Sequence, residues 1–315
     1  MLMARRVVFA LAAALASSAS APPDAAALSD ALTALIEAER GAPFWAVDAN
    51  ETRFASAREL WAAEPPRPLR DASREFWRAR DATVEGVTGI EWQRTTPLDA
   101  AFSLAFLRRV LAARGAAHGG GGAAAARCLS VGAGIGREAL AVLLPAGCAA
   151  IDLLEPQAHL LAVATAALPA HARGAAFNAG LEDFDFSGVR YDVIFVGWCT
   201  DYVADADLAA FFGRAAAALA PGGAIVVKDN VSEFADAVLA PAGAHVVRSG
   251  AYLRALARVG APDLRQLADE AQAPWVDGLF PLHAIAWVRA EESGWAWPRD
   301  EAAVGADGAL ASGRE

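Results

Sequence analysis

Residues 127–138 read RCLSVGAGIGRE, and this stretch decides the fold. The apolar run 127–132 reads as a short strand, and 136–145 reads as a helix. Gly132, Gly134 and Gly136 lie between them, allowing a tight turn and close approach of a ligand. Strand, glycine loop and helix together form the opening unit of a doubly wound sheet. Downstream, 148–154, 175–179, 191–198 and 224–229 read as strands, with helices over 157–168, 205–220 and 247–260. Residues 263–270 and 282–289 follow as strands with no helix between them, which requires an antiparallel pair. The expected class is α/β, a seven-stranded doubly wound sheet ending in an antiparallel hairpin, unlike the ordinary six-stranded dinucleotide fold.

Upstream, 28–63 looks helical, with Ser29 and Asp30 as a cap. The proline-rich AEPPRPLRD of 63–71 reads as a break and linker. A helix over 72–80, a glycine-punctuated loop over 84–92 and a long helix over 97–114 follow, and GGGGAAAA at 119–126 looks like a flexible insertion. The expected organisation is a targeting segment over 1–21, a helical extension with linker over 22–70, a main domain over 71–290 and a flexible tail over 291–315. The first residues combine Arg5 and Arg6, an apolar run over 7–16 and Ala19-Ser20-Ala21, the shape of a secretory signal, although an alanine-rich chain also produces it by chance. No later run reads as a transmembrane helix.

Composition narrows the partners. Hydrophobic residues make up 56%, ample for a sizeable core, and the net charge of −10 argues against a nucleic-acid surface. An acidic chain suits a cationic substrate or cofactor. Cys128, Cys148 and Cys199 lack metal-ligand spacing and are too few for a disulfide framework, so buried free thiols are expected and no metal site. Lys228 is the single lysine among 27 Lys and Arg residues and stands in AIVVKDNVSE, 224–233.

The ligand follows from three places. The nicotinamide pattern Gly-x-Gly-x-x-Gly fails at Arg137. Glu155, closing the second strand in DLLEP, stands at the sheet edge within reach of a ribose diol; alone it reads equally as a solvated strand end. GLEDF, 180–184, follows the third strand, where an adenine edge is held. Together they read as a site for S-adenosyl-L-methionine, whose sulfonium suits an acidic pocket.

On these residues the chain resembles the protein N-terminal (alpha-N) methyltransferases, which methylate the α-amino group of proteins starting X-Pro-Lys or X-Pro-Arg. The resemblance runs from about Phe76 to Val288, through FWRARDATVEGVTG (76–89), GAGIGR (132–137), DLLEP (152–156), GLEDF (180–184), YDVIFVGW (191–198), GGAIVVKDN (222–230) and DGLFPLHAIAWV (277–288). It implies a class I methyltransferase with cofactor held by Gly132, Gly134, Gly136, Arg137, Glu155, Leu181, Glu182 and Gly197. It places Trp198 against the substrate's second-position proline, Asn230 near the amino end, Trp77 and the loop to Gly89 over the cofactor, and Leu279 and Phe280 along the peptide channel. The family works in cytosol and nucleus, which conflicts with the secretory shape of the first residues.

The chain also departs from the family. Tyr202 stands where the family has a His, Gly197 replaces a Gln, and 237–245 (AVLAPAGAH) lacks the carboxylates that hold the substrate's amine and basic third residue. Asp201 is the candidate replacement base, and equally a helix N-cap. Tyr202 offers a hydrogen bond, and Asp229 either faces the ligands or caps a strand end. Glu233 and Asp236 are the nearest acids that could replace the lost pair but read rather as a solvated loop face, and His245 and His283 read as structural histidines. Trp295 and Trp297 either pack back on the fold or bind a partner. The leading expectation is a methyltransferase acting on protein N-termini; the alternatives are another amine or small molecule as acceptor, or a cofactor-binding pseudoenzyme.

Overall fold

The structure is a computed structural model. It describes residues 24–63, 66–89, 96–117, 126–239, 245–273, 279–291, 294, 295, 297 and 298. The targeting-segment expectation, most of the glycine–alanine insertion, residues 240–244 of the acid-free stretch and most of the tail lie outside them.

In chain order the elements are α1 (Ala25–Arg40), β1 (Ala46–Val47), β2 (Arg53–Phe54), α2 (Ala57–Ala63), α3 (Pro66–Arg78), α4 (Val84–Thr88), α5 (Thr96–Ala117), β3 (Ala126–Val131), β4 (Cys148–Leu154), α6 (Ala158–Ala167), β5 (Arg173–Phe177), β6 (Tyr191–Gly197), α7 (Asp205–Ala217), β7 (Leu219–Asn230), β8 (Ala237–Leu239), β9 (Val246–Arg248), α8 (Gly250–Gly260), β10 (Leu264–Ala271) and β11 (Leu282–Arg289). Seven strands form one sheet in the order β10-β11-β7-β6-β3-β4-β5. β3, β4, β5, β6 and β7 run parallel, while β11 pairs antiparallel with both β7 and β10. The central strands are near-continuous apolar runs because both sheet faces are covered. Two apolar clusters result. One, around Ile194, Val196, Ile225 and Phe212, carries α1, α2, α7 and α8, and the other, around Val193, Phe195 and Val226, carries α5 and the turn after β3.

Chain order reverses at β3, so the carboxyl ends of β3, β4, β6 and β7 open onto one crevice, where ligands of such sheets bind. Among the described residues no helix is long and apolar enough to cross a membrane, and no three His, Cys, Asp or Glu gather as metal ligands.

Several expectations change. The stretch read as a linker contains the start of α3, with Pro66 and Pro68 in its first turn, where proline's missing N–H costs nothing. Residues 84–88 form a short helix capped by Thr83, whose hydroxyl accepts from Gly86 N, rather than a loop. The segment 28–63 is two helices separated by β1 and β2. These join β8 and β9 in a second sheet, β2-β1-β8-β9, which ties the N-terminal extension into the main body. The helix after the glycine loop widens into a π-helical turn, Ala139–Leu143. β7 begins at Leu219, running through the Pro-Gly-Gly read as a helix stop.

The free-thiol expectation fails for two cysteines. β3 and β4 are parallel neighbours, and Cys128 and Cys148 come within 5.9 Å (Cα–Cα) and form a disulfide across 20 residues of chain. Their 20-residue separation hid a pairing that only strand adjacency creates. Cys199 stays free. His283 is structural as expected, with Nδ1 2.9 Å from Asp269 Oδ1. Trp297 packs back on the fold, its Nε1 donating to Glu270 Oε1 at 2.9 Å beneath the Arg109 guanidinium.

Candidate active site

The glycine loop is the floor of the crevice. Gly132, Gly134 and Gly136 have φ of 68°, 52° and 86°, the left-handed region that side chains avoid. A Cβ on Gly132 would lie 2.8 Å from Cys199 Cβ, so that glycine lets the loop pass against β6's exit. Gly136 stands apart from the other two: its close neighbour is Ala164 of α6, at 3.1 Å from a notional Cβ, so it packs loop onto helix instead of facing the cleft. Gly134 N donates to Glu155 Oε2 at 2.9 Å, and Gln157 N to Glu155 Oε1 at 2.8 Å. Burial raises the Glu155 carboxyl against these two donors. Each oxygen keeps acceptor capacity toward a ligand hydroxyl.

Leu181 and Glu182 form the next wall. Glu182 accepts from Arg74 of α3 at 2.7 Å, with Arg70 at 3.6 Å, so α3 clamps this wall with two arginines that also line the cleft.

The end of β7 and the start of α5 meet at Asp99. Its carboxylate pairs with Lys228, accepts from Arg137 at 2.9 Å and from Trp198 Nε1 at 3.3 Å. Lys228 is fully buried and its ammonium lies 4.7 Å from the Trp198 ring centre. Burial pulls the ammonium well below its ordinary range, with Asp229 opposing. Trp198 holds a positive φ of 57°, strained for a bulky side chain. Asp99, which ties these groups together, was missed by the sequence reading; its place in the first turn of a long helix gave no chemical signal.

Asp229 Oδ2 accepts from Thr200 N at 2.7 Å and Thr200 Oγ1 at 2.8 Å, while its Oδ1 accepts from Asn230 N at 3.0 Å. This secures the 3₁₀ turn Thr200–Tyr202. Arg248, wholly buried, holds the same turn from behind by donating to Thr200 O at 2.8 Å and Val203 O at 2.7 Å. Asp201 does not cap α7, whose N-cap is Ala204. Its carboxyl is 3% exposed, and Oδ1 has no hydrogen-bond partner. Burial first, then the Asp229 charge, raises it well above the ordinary carboxyl range; Arg248 and a hydrogen bond with Asn230 pull the other way. Tyr202 is raised by burial too, and its ring lies 5.3 Å from Trp77 and 5.7 Å from His245. His245 thus faces the cleft rather than serving only the core, and burial lowers its imidazole. Its sequence neighbours gave no hint of this.

These residues enclose one cleft of about 590 Å³. Every residue expected at the site except Gly136 lines it: Gly132, Gly134, Arg137, Glu155, Leu181, Glu182 and Gly197 from the expected cofactor set, and Trp77, Trp198, Asp201, Tyr202, Asp229, Asn230, Leu279 and Phe280 from the expected acceptor set. The sequence profile of the AdoMet dependent proline di-methyltransferase family matches residues 67–288. The chain belongs to this family. As a methyltransferase it is similar to the alpha N-terminal protein methyltransferase 1 of Arabidopsis thaliana, 31% identical over 241 residues, covering 72% of this chain and 86% of that one. It is also similar to the N-terminal Xaa-Pro-Lys N-methyltransferase 1 of Danio rerio, 31% identical over 214 residues, covering 67% and 91%. A solved S-adenosylmethionine-dependent methyltransferase from Leishmania major superposes with a TM-score of 0.68 at 29% identity, covering 78% of this chain and 96% of that one.

The methyltransferase fits its cofactor. A notional Cβ on Gly134 meets nothing within 4 Å, so the loop leaves open space there, and Glu155 retains acceptor capacity for a diol. Acidic and aromatic side chains line the middle, as a sulfonium requires.

Proposed function

We propose that this methyltransferase methylates the α-amino group of a protein N-terminus of the X-Pro-Lys/Arg type. When bound, S-adenosylmethionine supplies a methyl group on a positively charged sulfur. The chain's own residues bind and align the amine. The carrying observation is Asp201 Oδ1, a buried acceptor without a partner at the cleft end shared with Asn230 and Trp198. An α-amine has a pKa of about 7.7–8.0, so a single acceptor suffices to take its proton. A carboxyl raised by burial is matched to that proton better than a solvated one. Asn230 hydrogen-bonds the peptide near its amino end, and the Trp198 face packs on the second-position proline. Leu279 and Phe280 line the exit for the following residues.

The acid-free stretch 237–245 favours a broader third-position tolerance than Lys or Arg alone. The test is mass spectrometry on X-Pro-Lys, X-Pro-Arg and X-Pro-Gln peptides with S-adenosylmethionine. Methyl gain on all three is expected. No gain on any of them, despite cofactor binding, overturns the reading, and gain on small amines alone supports the small-molecule alternative. The Cys128–Cys148 disulfide supports an oxidising compartment as the place of work, in keeping with the secretory shape of the first residues rather than with the family's cytosol and nucleus.

A further inference from the structure

Phe280 belongs to two arrangements. Its ring lines the cleft, and it also stacks on Phe234, with centres 6.1 Å apart and planes 18° from parallel. Phe234 is 55% exposed, more than any other large apolar side chain among the described residues. Beyond it, the Trp45 ring lies 6.3 Å away, and the Arg53 guanidinium covers that ring at 5.1 Å. A continuous row of Phe280, Phe234, Trp45 and Arg53 therefore leads from the mouth of the cleft onto the surface.

Three distant segments build this row, and the backbone fastens them. Trp45 N donates to Asp236 Oδ2 at 3.0 Å, and Asp236 N donates back to Trp45 O at 2.9 Å. Val231 N donates to Pro281 O at 2.7 Å, and Ala235 N to Ser232 Oγ at 3.1 Å. An isolated exposed Phe is unremarkable. A fixed, solvent-facing ring continuous with an active-site wall is different, since it leaves apolar surface in water at the point where a substrate chain leaves the cleft.

We propose that this row is a docking track for the part of the substrate polypeptide beyond its first three residues, an extended segment carrying apolar or proline side chains. The proposal rests on the reading that the cleft takes a protein N-terminus. Spacing supports it: alternate side chains of an extended strand are about 6.6 Å apart, so successive rings meet residues i and i+2. A second copy of the chain fits poorly, because three rings and a guanidinium fall far short of the ~800 Å² per partner of a stable interface. Nucleic acid fits worse, with one guanidinium on a chain of net charge −10.

The test uses two substrates that share their first three residues, one of about four residues and one of about twelve, long enough at ~3.3 Å per residue to cover the track. The full chain should take the longer peptide with a KM about tenfold lower. Phe234→Ala, a change at an exposed position, should erase that difference and leave kcat and the short peptide's KM unchanged, with Phe234→Leu restoring part of it. Peptide affinity by fluorescence anisotropy without cofactor should follow the same pattern. Equal KM values for the two peptides in the unaltered chain, or a difference that survives Phe234→Ala, overturns the track. So does a dimer in sedimentation that Phe234→Ala dissociates. If neither peptide is methylated, the proposed function fails, and the anisotropy arm alone decides the track.

Discussion

At the scale of the residue, the site depends on two buried carboxylates in different circumstances. Asp229 spends both oxygens on backbone and hydroxyl donors, while Asp201 keeps one without a partner. Asp201→Asn should therefore lower kcat about 10²–10⁴-fold and leave a rising limb of the pH–rate profile set by the amine's own pKa of about 7.7–8.0, because an amide takes no proton. Stability moves the other way. The folded form holds the Asp201 proton to higher pH than the unfolded chain does, so the fold loses stability as pH rises through the folded value. The stabilisation from Asp201→Asn should grow as pH rises out of the ordinary carboxyl range and through the raised folded value, seen in urea unfolding at each pH. Lys228 tests the other buried charge. Lys228→Met leaves one Asp99 oxygen without its cation and should cost about 3 kcal/mol, and Asp99→Asn with Lys228→Met should recover part of that. Lys228→Arg adds bulk to a fully enclosed site and should cost about 1–3 kcal/mol. A compact ammonium tucked against Trp198 explains why an arginine-rich chain holds its one lysine here.

At the scale of the element, strand adjacency is the information a linear pattern lacks. β4 and β11 carry the ranges read for them, because uninterrupted apolar runs bounded by turns declare themselves. The Gly-Pro punctuation that marks turns elsewhere misled at Pro66, which starts a helix, and at Pro221-Gly222-Gly223, which β7 runs through. The disulfide between β3 and β4 was invisible for the same reason as Asp99's role: each needs a partner from a distant part of the chain. Without reductant, the denatured chain should take up one alkylating label, at Cys199, and with reductant three, read by mass. Replacing both paired cysteines with alanine should lower stability by about 3 kcal/mol, measured by denaturant unfolding, as expected for a closed loop of this length.

At the scale of the molecule, the cofactor end of the cleft was legible because its chemistry sits in short motifs at strand ends: the glycine loop, Glu155 and Leu181-Glu182. The acceptor end was legible only in part. Trp198 and Asn230 come through the family resemblance and Asp201 from its place beside the replaced histidine, yet His245 and the Arg74 clamp on Glu182 arrive from segments whose approach is a property of the packed whole. The N-terminal extension shows this most plainly. It enters the second sheet through β1, reaches Asp205 through Trp61 Nε1 at 2.5 Å, and lies along α8 through Leu28, Leu32 and Ile36.

That extension has an evolutionary and a practical side. The family's shared sequence begins at residue 67, but the unit that folds begins earlier. A chain trimmed to the shared boundary would expose the β8 edge to open pairing, strip the cover from α8, and leave Asp205 and Asp236 each short of a donor from the missing segment. Here ancestry and cooperativity draw different borders around the same enzyme.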